Sequence, residues 1–268
     1  MLVNFSKMHG LGNDFVVLDC ISQNLRLHSA HIRKIADRKV GIGCDQVLLI
    51  EPPMRPEADF YYRIFNPDGR EVEQCGNGAR CLAKFFFDLG LSDKKKIIAD
   101  CLAGTLELTL EPHDIVKANM GTLQKKPQPI SLTVASSDFP NAFDMIQVCL
   151  GNPHAVLLVD SIAEPIKKLG MMLSKHAHFA NGANIGFMQI LDRSHIRLRV
   201  YERGAGETLA CGSGACAAVI AGQFLGLLDS QVEVILKLGS LKVIAKGLGE
   251  AIYLKGPAKR IFMGSFRI

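Results

Sequence analysis

The chain repeats itself, and a repeat of this size dictates two like-folded units. Displacing the 268-residue sequence by 136 positions lays Tyr61–Leu91 on Arg197–Leu227 without a gap. Arg63 then meets Arg199, and Glu71 meets Glu207. Cys75-Gly76-Asn77-Gly78-Ala79 meets Cys211-Gly212-Ser213-Gly214-Ala215, and Leu89-Gly90-Leu91 meets Leu225-Gly226-Leu227. A second echo, at a slightly different offset, sets Gly12-Asn13 and Val16–Asp19 against Gly151-Asn152 and Val156–Asp160. Two echoes in the same order indicate an internal duplication of domain size. The break falls near Met120–Gln128, where Gly121, Pro127 and Pro129 cluster. This predicts domains over 1–120 and 121–256.

Each unit reads mostly as strands. Phe15–Asp19, Val47–Glu51, Phe60–Phe65, Ile97–Cys101 and Thr105–Glu111 are β-rich in the first half. In the second, Ile196, Leu198 and Val200 alternate with Arg197, Arg199 and Tyr201, and Val232–Leu238, Leu241–Lys246 and Ala251–Lys255 follow. Asn66-Pro67-Asp68-Gly69 carries Pro and Gly where a type I turn wants them. Ser29–Asp37 and Glu164–Lys175 have amphipathic helical spacing, while the segments after Cys75 and Cys211 read as more buried helices. The expected class is α+β: two units, each a curved sheet wrapped around one helix.

Net charge is +5, and the basic runs Lys94–Lys96 and Lys125–Lys126 lack interleaved aromatics, which argues against a nucleic-acid partner. The uncharged stretch Thr208–Leu228 mimics a membrane span, but its first third is Gly, Ala, Ser and Cys. It reads as a helix buried in a domain, so no membrane partner is expected. The first residues lack a secretory pattern, and eight cysteines are too few for a disulfide scaffold. A cytoplasmic chain with reduced thiols is therefore expected. The cysteine spacings do not fit zinc ribbons or fingers, so no metal is assigned. Cys81 and Cys216, with Cys20, Cys44, Cys101 and Cys149, are read as small apolar filler.

A cysteine before Gly-x-Gly and a helix has a definite chemistry. Glycine lets the backbone turn tightly and approach a ligand. The first helical N–H groups lack internal partners and hold an anion, and the dipole adds to the attraction. The same field favours thiolate and predicts acidified thiols at Cys75 and Cys211, fit for general acid–base work. One copy alone would describe a small residue in a turn; two at equivalent places point to two thiols facing one small anion. Asn13, Gln46, Asn66, Asn152, His154, Asn184, Glu202 and Arg203 each have a plain structural reading in turns. Together they supply a zwitterion's needs: Arg for a carboxylate, Glu for an ammonium and amides for both.

Met8–Phe15, Gly41–Gln46, Cys75–Cys81, Gly151–His154, Glu202–Thr208 and Ala210–Gly214 occur in that order, and through them the chain closely resembles the diaminopimelate epimerase family. Departures are mild: Leu150, Ala155 and Ala180 stand where Met, Cys and Pro are frequent. The resemblance implies an α+β fold of two pseudo-symmetric domains, each a mostly antiparallel, barrel-like sheet around a central helix, with residues 257–268 packing back on the first. It also implies a homodimer without cofactor that interconverts LL- and meso-diaminopimelate. It implies Cys75 as proton donor and Cys211 as acceptor, with His154 and Glu202 assisting. The α-carboxylate would rest on N–H groups of Gly76, Asn77, Gly212 and Ser213. Asn13, Gln46, Asn66, Asn152, Asn184, Glu202 and Arg203 would grip the distal amino-acid end. Alternatives are a pyridoxal-independent racemase or epimerase of proline or hydroxyproline, a thiol redox protein, and a non-catalytic amino-acid-binding module.

Overall fold

The computed structural model describes residues 1–72, 75–163 and 166–267. In chain order the elements are β1 (Leu2–Gly10), β2 (Asn13–Asp19), α1 (Ser29–Ala36), β3 (Gln46–Glu51), β4 (Phe60–Phe65), β5 (Glu71–Val72), α2 (Gly76–Asp88), β6 (Lys96–Cys101), β7 (Gly104–Glu111) and β8 (Ile115–Thr122). Then come β9 (Gln128–Thr133), β10 (Ala142–Cys149), β11 (Pro153–Leu158), α3 (Ile166–Ser174), β12 (Asn184–Asp192), β13 (His195–Glu202), β14 (Gly206–Thr208) and α4 (Gly212–Phe224). The last are β15 (Gln231–Leu236), β16 (Gly239–Ile244), β17 (Ala251–Pro257) and β18 (Lys259–Arg267). The chain divides into two compact units, Met1–Asn119 with Lys255–Ile268, and Met120–Leu254. Of the expected helix over 164–175, Glu164 and Pro165 lie outside the described residues.

The first unit is a mostly antiparallel sheet wrapped on α2. β18 pairs antiparallel with β1, Leu2 opposite Arg267, so the last strand belongs to this unit. β1 pairs antiparallel with β2, β3 with β4, β6 with β7, and β7 with β8. β2–β3 and β4–β6 are parallel, because a helix intervenes between the strands of each pair. α2 touches β1, β2, β3, β6, β7 and β18. A second core under α1 joins Ile32 and Ile35 to Val16, Leu18, Val47 and Leu49.

The second unit repeats the plan. β9–β10, β10–β11, β12–β13 and β15–β16 are antiparallel, and β11–β12 and β13–β15 are parallel. α4 touches β10, β11, β12, β13, β15 and β16. It is buried on every side: Ala215, Cys216, Ala217, Ala218 and Val219 are fully covered. This explains its lack of amphipathic pattern. Among the described residues no helix is long and apolar enough to cross a membrane. The uncharged stretch of the sequence breaks into strand, helix and turn.

The repeated motifs have structural causes. Under the 136-residue offset α2 falls on α4, both 13 residues long. Each helix ends at Leu-Gly-Leu because its glycine turns left-handed, Gly90 at φ +69° and Gly226 at φ +73°. The following amides then close on the last turn, Leu91 N to Phe86 O and Leu227 N to Gly222 O. Arg63 grips Glu71 at 2.7 and 2.8 Å, and Arg199 grips Glu207 at 2.8 Å. Each pair ties a hairpin together four residues before the cysteine. The turn after β4 forms as predicted, with Gly69 N donating to Asn66 O at 2.9 Å.

Two sequence expectations are corrected. Strand β16 starts at Gly239 rather than Leu241, because Leu238 lies exposed in the preceding turn. Cys149 is exposed at the end of β10, so it is not filler. Strand alternation turns Val148 inward and its neighbour outward. Cys81 and Cys216 are fully buried.

Gly170 sits inside α3 against Tyr201 of β13, and an added Cβ would lie 2.7 Å from the Tyr201 Cβ and 2.8 Å from its Cγ. Those atoms are fixed by the strand. We expect Gly170→Ala to destabilise by about 1–2 kcal/mol net of alanine's better helix propensity. The check is thermal unfolding, with Tm falling by roughly 2–8 °C.

Candidate active site

Topology brings the predicted residues of each unit to one sheet edge. In the first unit β2 and β3 run parallel and begin at Asn13 and Gln46, while antiparallel β4 ends just before Asn66. All three amides therefore share one end of the sheet. In the second unit β11 and β12 run parallel with His154 opposite Asn184, and antiparallel β13 ends at Glu202. Asn152 and Arg203 flank those strand ends. The duplication thus matches Asn13 with Asn152 and Asn66 with Glu202.

Cys75 is the N-cap of α2, extended at φ −143° and ψ 111°, and its sulfur accepts from Gly78 N at 3.5 Å. The thiol also lies 3.7 Å from Asn13 Oδ1, as donor. Asn13 Oδ1 takes a second hydrogen bond from Asn77 Nδ2 at 3.2 Å, and Asn13 Nδ2 donates to Asp45 Oδ2 at 3.1 Å. Asp45 is held in turn. Arg38 bridges Asp45 Oδ1 at 2.7 Å and Asp14 Oδ1 at 2.6 Å, and Lys7 pairs with Asp14 and Gly43 O. Burial would raise the Asp14 carboxyl, but hydrogen bonds from Arg38 and Lys7 outweigh it and hold it at about 2. Gln46 Nε2 donates to Asn66 Oδ1 at 3.0 Å.

Cys211 is the N-cap of α4, extended at φ −125° and ψ 112°. Its sulfur lies 3.1 Å from Glu202 Oε2 and 3.6 Å from Ser213 Oγ. Thr208 Oγ1 donates to the other carboxylate oxygen, Oε1, at 2.5 Å, and so turns Oε2 to the thiol. The predicted acidification is reversed here. Burial first, and the Glu202 charge second, hold the Cys211 thiol well above the ordinary cysteine range. The resting group is a protonated thiol hydrogen-bonded to the Glu202 carboxylate.

His154 is fully buried, with Nε2 3.0 Å from Asn152 Oδ1. Burial alone lowers its pKa to about 4, so the ring is neutral near pH 7. Asn184 Oδ1 accepts from Arg203 N at 2.8 Å, and Arg203 Nη1 donates to Asn181 O at 3.2 Å. A cavity of about 630 Å3 opens beside Arg203, Lys175 and Tyr201; Cys211 and Glu202 do not line it.

Thr208, Asp45, Asp14, Arg38 and Lys7 of these networks, and Arg80 beside them, were not singled out in the sequence. Thr208 and Arg80 stand inside quoted motifs, but their partners, Glu202 for the one and Asn77 and Gly76 for the other, lie three to six residues away. Asp45 acts on Asn13 across 32 positions, and spacing carries no sign of that. A charge inside the apolar run after Cys75 was the available signal for Arg80.

Two outcomes follow. Glu202→Gln removes a negative charge from Cys211, so the thiol's titration midpoint should fall. The ultraviolet thiolate absorbance lost on adding Cys211→Ala measures it. His154, depressed below its unfolded value of 6.5, contributes stability that is complete above pH 6.5 and lost as pH falls towards 4. The loss amounts to about 3 kcal/mol. Urea unfolding across that range, with the ring's NMR signal flat above pH 6.5, checks it.

Comparison with known proteins places these networks in context. The family model of diaminopimelate epimerase matches residues 5–126 and 146–261. A hydroxyproline epimerase from Agrobacterium vitis, solved with bound trans-4-hydroxy-L-proline, shares the fold with a TM-score of 0.74 at 15% identity, over 98% of this chain and 92% of that one. A phenazine biosynthesis protein of the PhzF family from Bacillus anthracis superposes with a TM-score of 0.71 at 17% identity, over the whole of both chains. A probable proline racemase from Agrobacterium radiobacter gives 0.71 at 16% identity, over 98% and 92%. With a family match over most of its length, and a cysteine capping the central helix of each unit, the chain belongs to the diaminopimelate epimerase family.

Proposed function

We propose that the protein epimerises diaminopimelate, interconverting its LL and meso forms by a cofactor-independent, two-thiol mechanism. The role would lie in lysine and peptidoglycan precursor synthesis, carried out by a cytoplasmic homodimer. The observation that carries the reading is that both helix-capping thiols have a hydrogen-bond acceptor at the sulfur: an amide oxygen at Cys75 and a carboxylate at Cys211. Family membership supports the substrate class.

In one direction Cys211 passes its proton to Glu202 Oε2 and becomes a thiolate. That thiolate takes the α-proton, and the electron pair spreads onto the α-carboxylate. The N–H groups of Gly76, Asn77, Gly212 and Ser213 hold the developing charge without reorganisation. The Cys75 thiol delivers its proton to the other face of the carbon and is left as thiolate. The reverse reaction exchanges the roles. His154, neutral and bonded to Asn152, supports proton movement without adding a charge. Asn66, Gln46, Asn152, Asn184 and Arg203, with Asn13 and Glu202, bind the distal amino-acid end. Binding energy from that end then supports the chemistry at the reacting one.

The test is epimerisation of LL-diaminopimelate in heavy water. At early times deuterium should enter the inverted product and be nearly absent from recovered substrate. Equal labelling of both would sink the two-thiol scheme. Turnover of proline or trans-4-hydroxyproline in place of diaminopimelate would move the assignment to those substrates.

A further inference from the structure

Arg80 is a full charge with no exposed surface, the largest fully buried side chain among the described residues. It lies on α2, one turn from the catalytic cap. Its Nη2 donates to Asn77 Oδ1 at 2.8 Å and its Nη1 to Gly76 O at 3.3 Å. Gly10 of β1 makes room for it: a Cβ there would come within 3.3 Å of Nη2. A buried guanidinium is held in place by its hydrogen bonds, and these two reach the N-terminal turn of α2.

The polarity of the surrounding amides follows from chemistry. Arginine has only donors, so the Asn77 atom facing it is the oxygen. The nitrogen of Asn77 then faces Asn13, and the Asn13 atom receiving it is the oxygen. From the other side the Asp45 carboxylate has only acceptors, so the Asn13 atom facing it is the nitrogen. Both ends agree. Asn13 is left with its oxygen, and not its nitrogen, toward the Cys75 sulfur. Under the duplication Arg80 falls on Cys216, so the second unit has no such cation. There a carboxylate aligned by Thr208 faces the thiol directly.

We propose that Arg80 is a positioning residue for Cys75: by fixing the Asn77 amide it fixes the Asn13 oxygen at the thiol and the helix N-terminus that receives the substrate carboxylate. The inference rests on the reading of Cys75 as a reacting thiol.

The experiment compares wild type, Arg80→Met, Arg80→Lys, Asn77→Ala and the Arg80→Met/Asn77→Ala double variant. Kinetics on diaminopimelate are normalised to Cys75 thiol titrated by iodoacetamide and mass spectrometry, at temperatures well below each Tm. Normalisation removes any unfolded fraction. Arg80→Met should lower kcat by about 10- to 100-fold, the effect of misplacing a reacting group. KM should stay within about twofold, as for an interaction realised in the transition state. Arg80→Lys should recover part of the loss, and the double variant should be no slower than the slower single one. An unchanged kcat per thiol, or losses that multiply in the double variant, would overturn the proposal. If Arg80→Met does not fold, Arg80→Lys decides, since it keeps the charge and loses the fork. If wild type does not act on diaminopimelate, the substrate assignment fails separately. Arg80 is then judged on the free protein. Cys75 alkylation should slow in Arg80→Met and partly recover in Arg80→Lys, and an unchanged rate overturns the inference.

Discussion

A helix whose first turns are covered on every side meets a ligand there only at its N-terminus. That constraint governs both units. α2 and α4 lie inside their sheets, and their N-terminal N–H groups lack intrahelical partners. In water those groups would be solvated; under a sheet they need an anion or a polar cap. A cysteine at the cap leaves this need partly unmet. It also puts a titratable atom beside the first N–H groups of the helix. The glycines, the bracing Arg–Glu pairs and the Leu-Gly-Leu helix ends all serve to set that cap in place.

The duplication yields two sites of equal architecture and unequal electrostatics. Cys75 faces a neutral amide fixed through a buried cation. Cys211 faces an anion fixed by a threonine. The positions matched by the repeat, Asn66 against Glu202, carry that difference.

The fold was legible in the sequence where local rules act. The helix starts at Cys-Gly-x-Gly and the turn at Asn66–Gly69 could be read from spacing, whereas the pairing of the repeated arginines with the repeated glutamates shows only in the fold. The residue types gathered at the sheet ends could be read as well. The parallel pairings were not legible, because they depend on chain returning over a helix. Nor was the state of the Cys211 thiol. The helix dipole argues for acidity, but burial and Glu202 act in the opposite sense and win, and neither is visible until the chain is folded. Cys149 shows the same limit at small scale: its composition suits a core, and strand phase alone puts it outside.

The N-cap role of the two cysteines has a consequence for anyone selecting variants. Serine is among the best caps and cysteine is not, and a good cap is worth about 0.5–2 kcal/mol. Exchange of sulfur for oxygen at position 75 or 211 would therefore favour the folded chain while lifting the pKa of the capping group far above that of a thiol. Under the proposed two-thiol mechanism, screens that reward heat resistance would enrich inert proteins. In this molecule the helix's own preference and the reaction's requirement compete for the same two atoms.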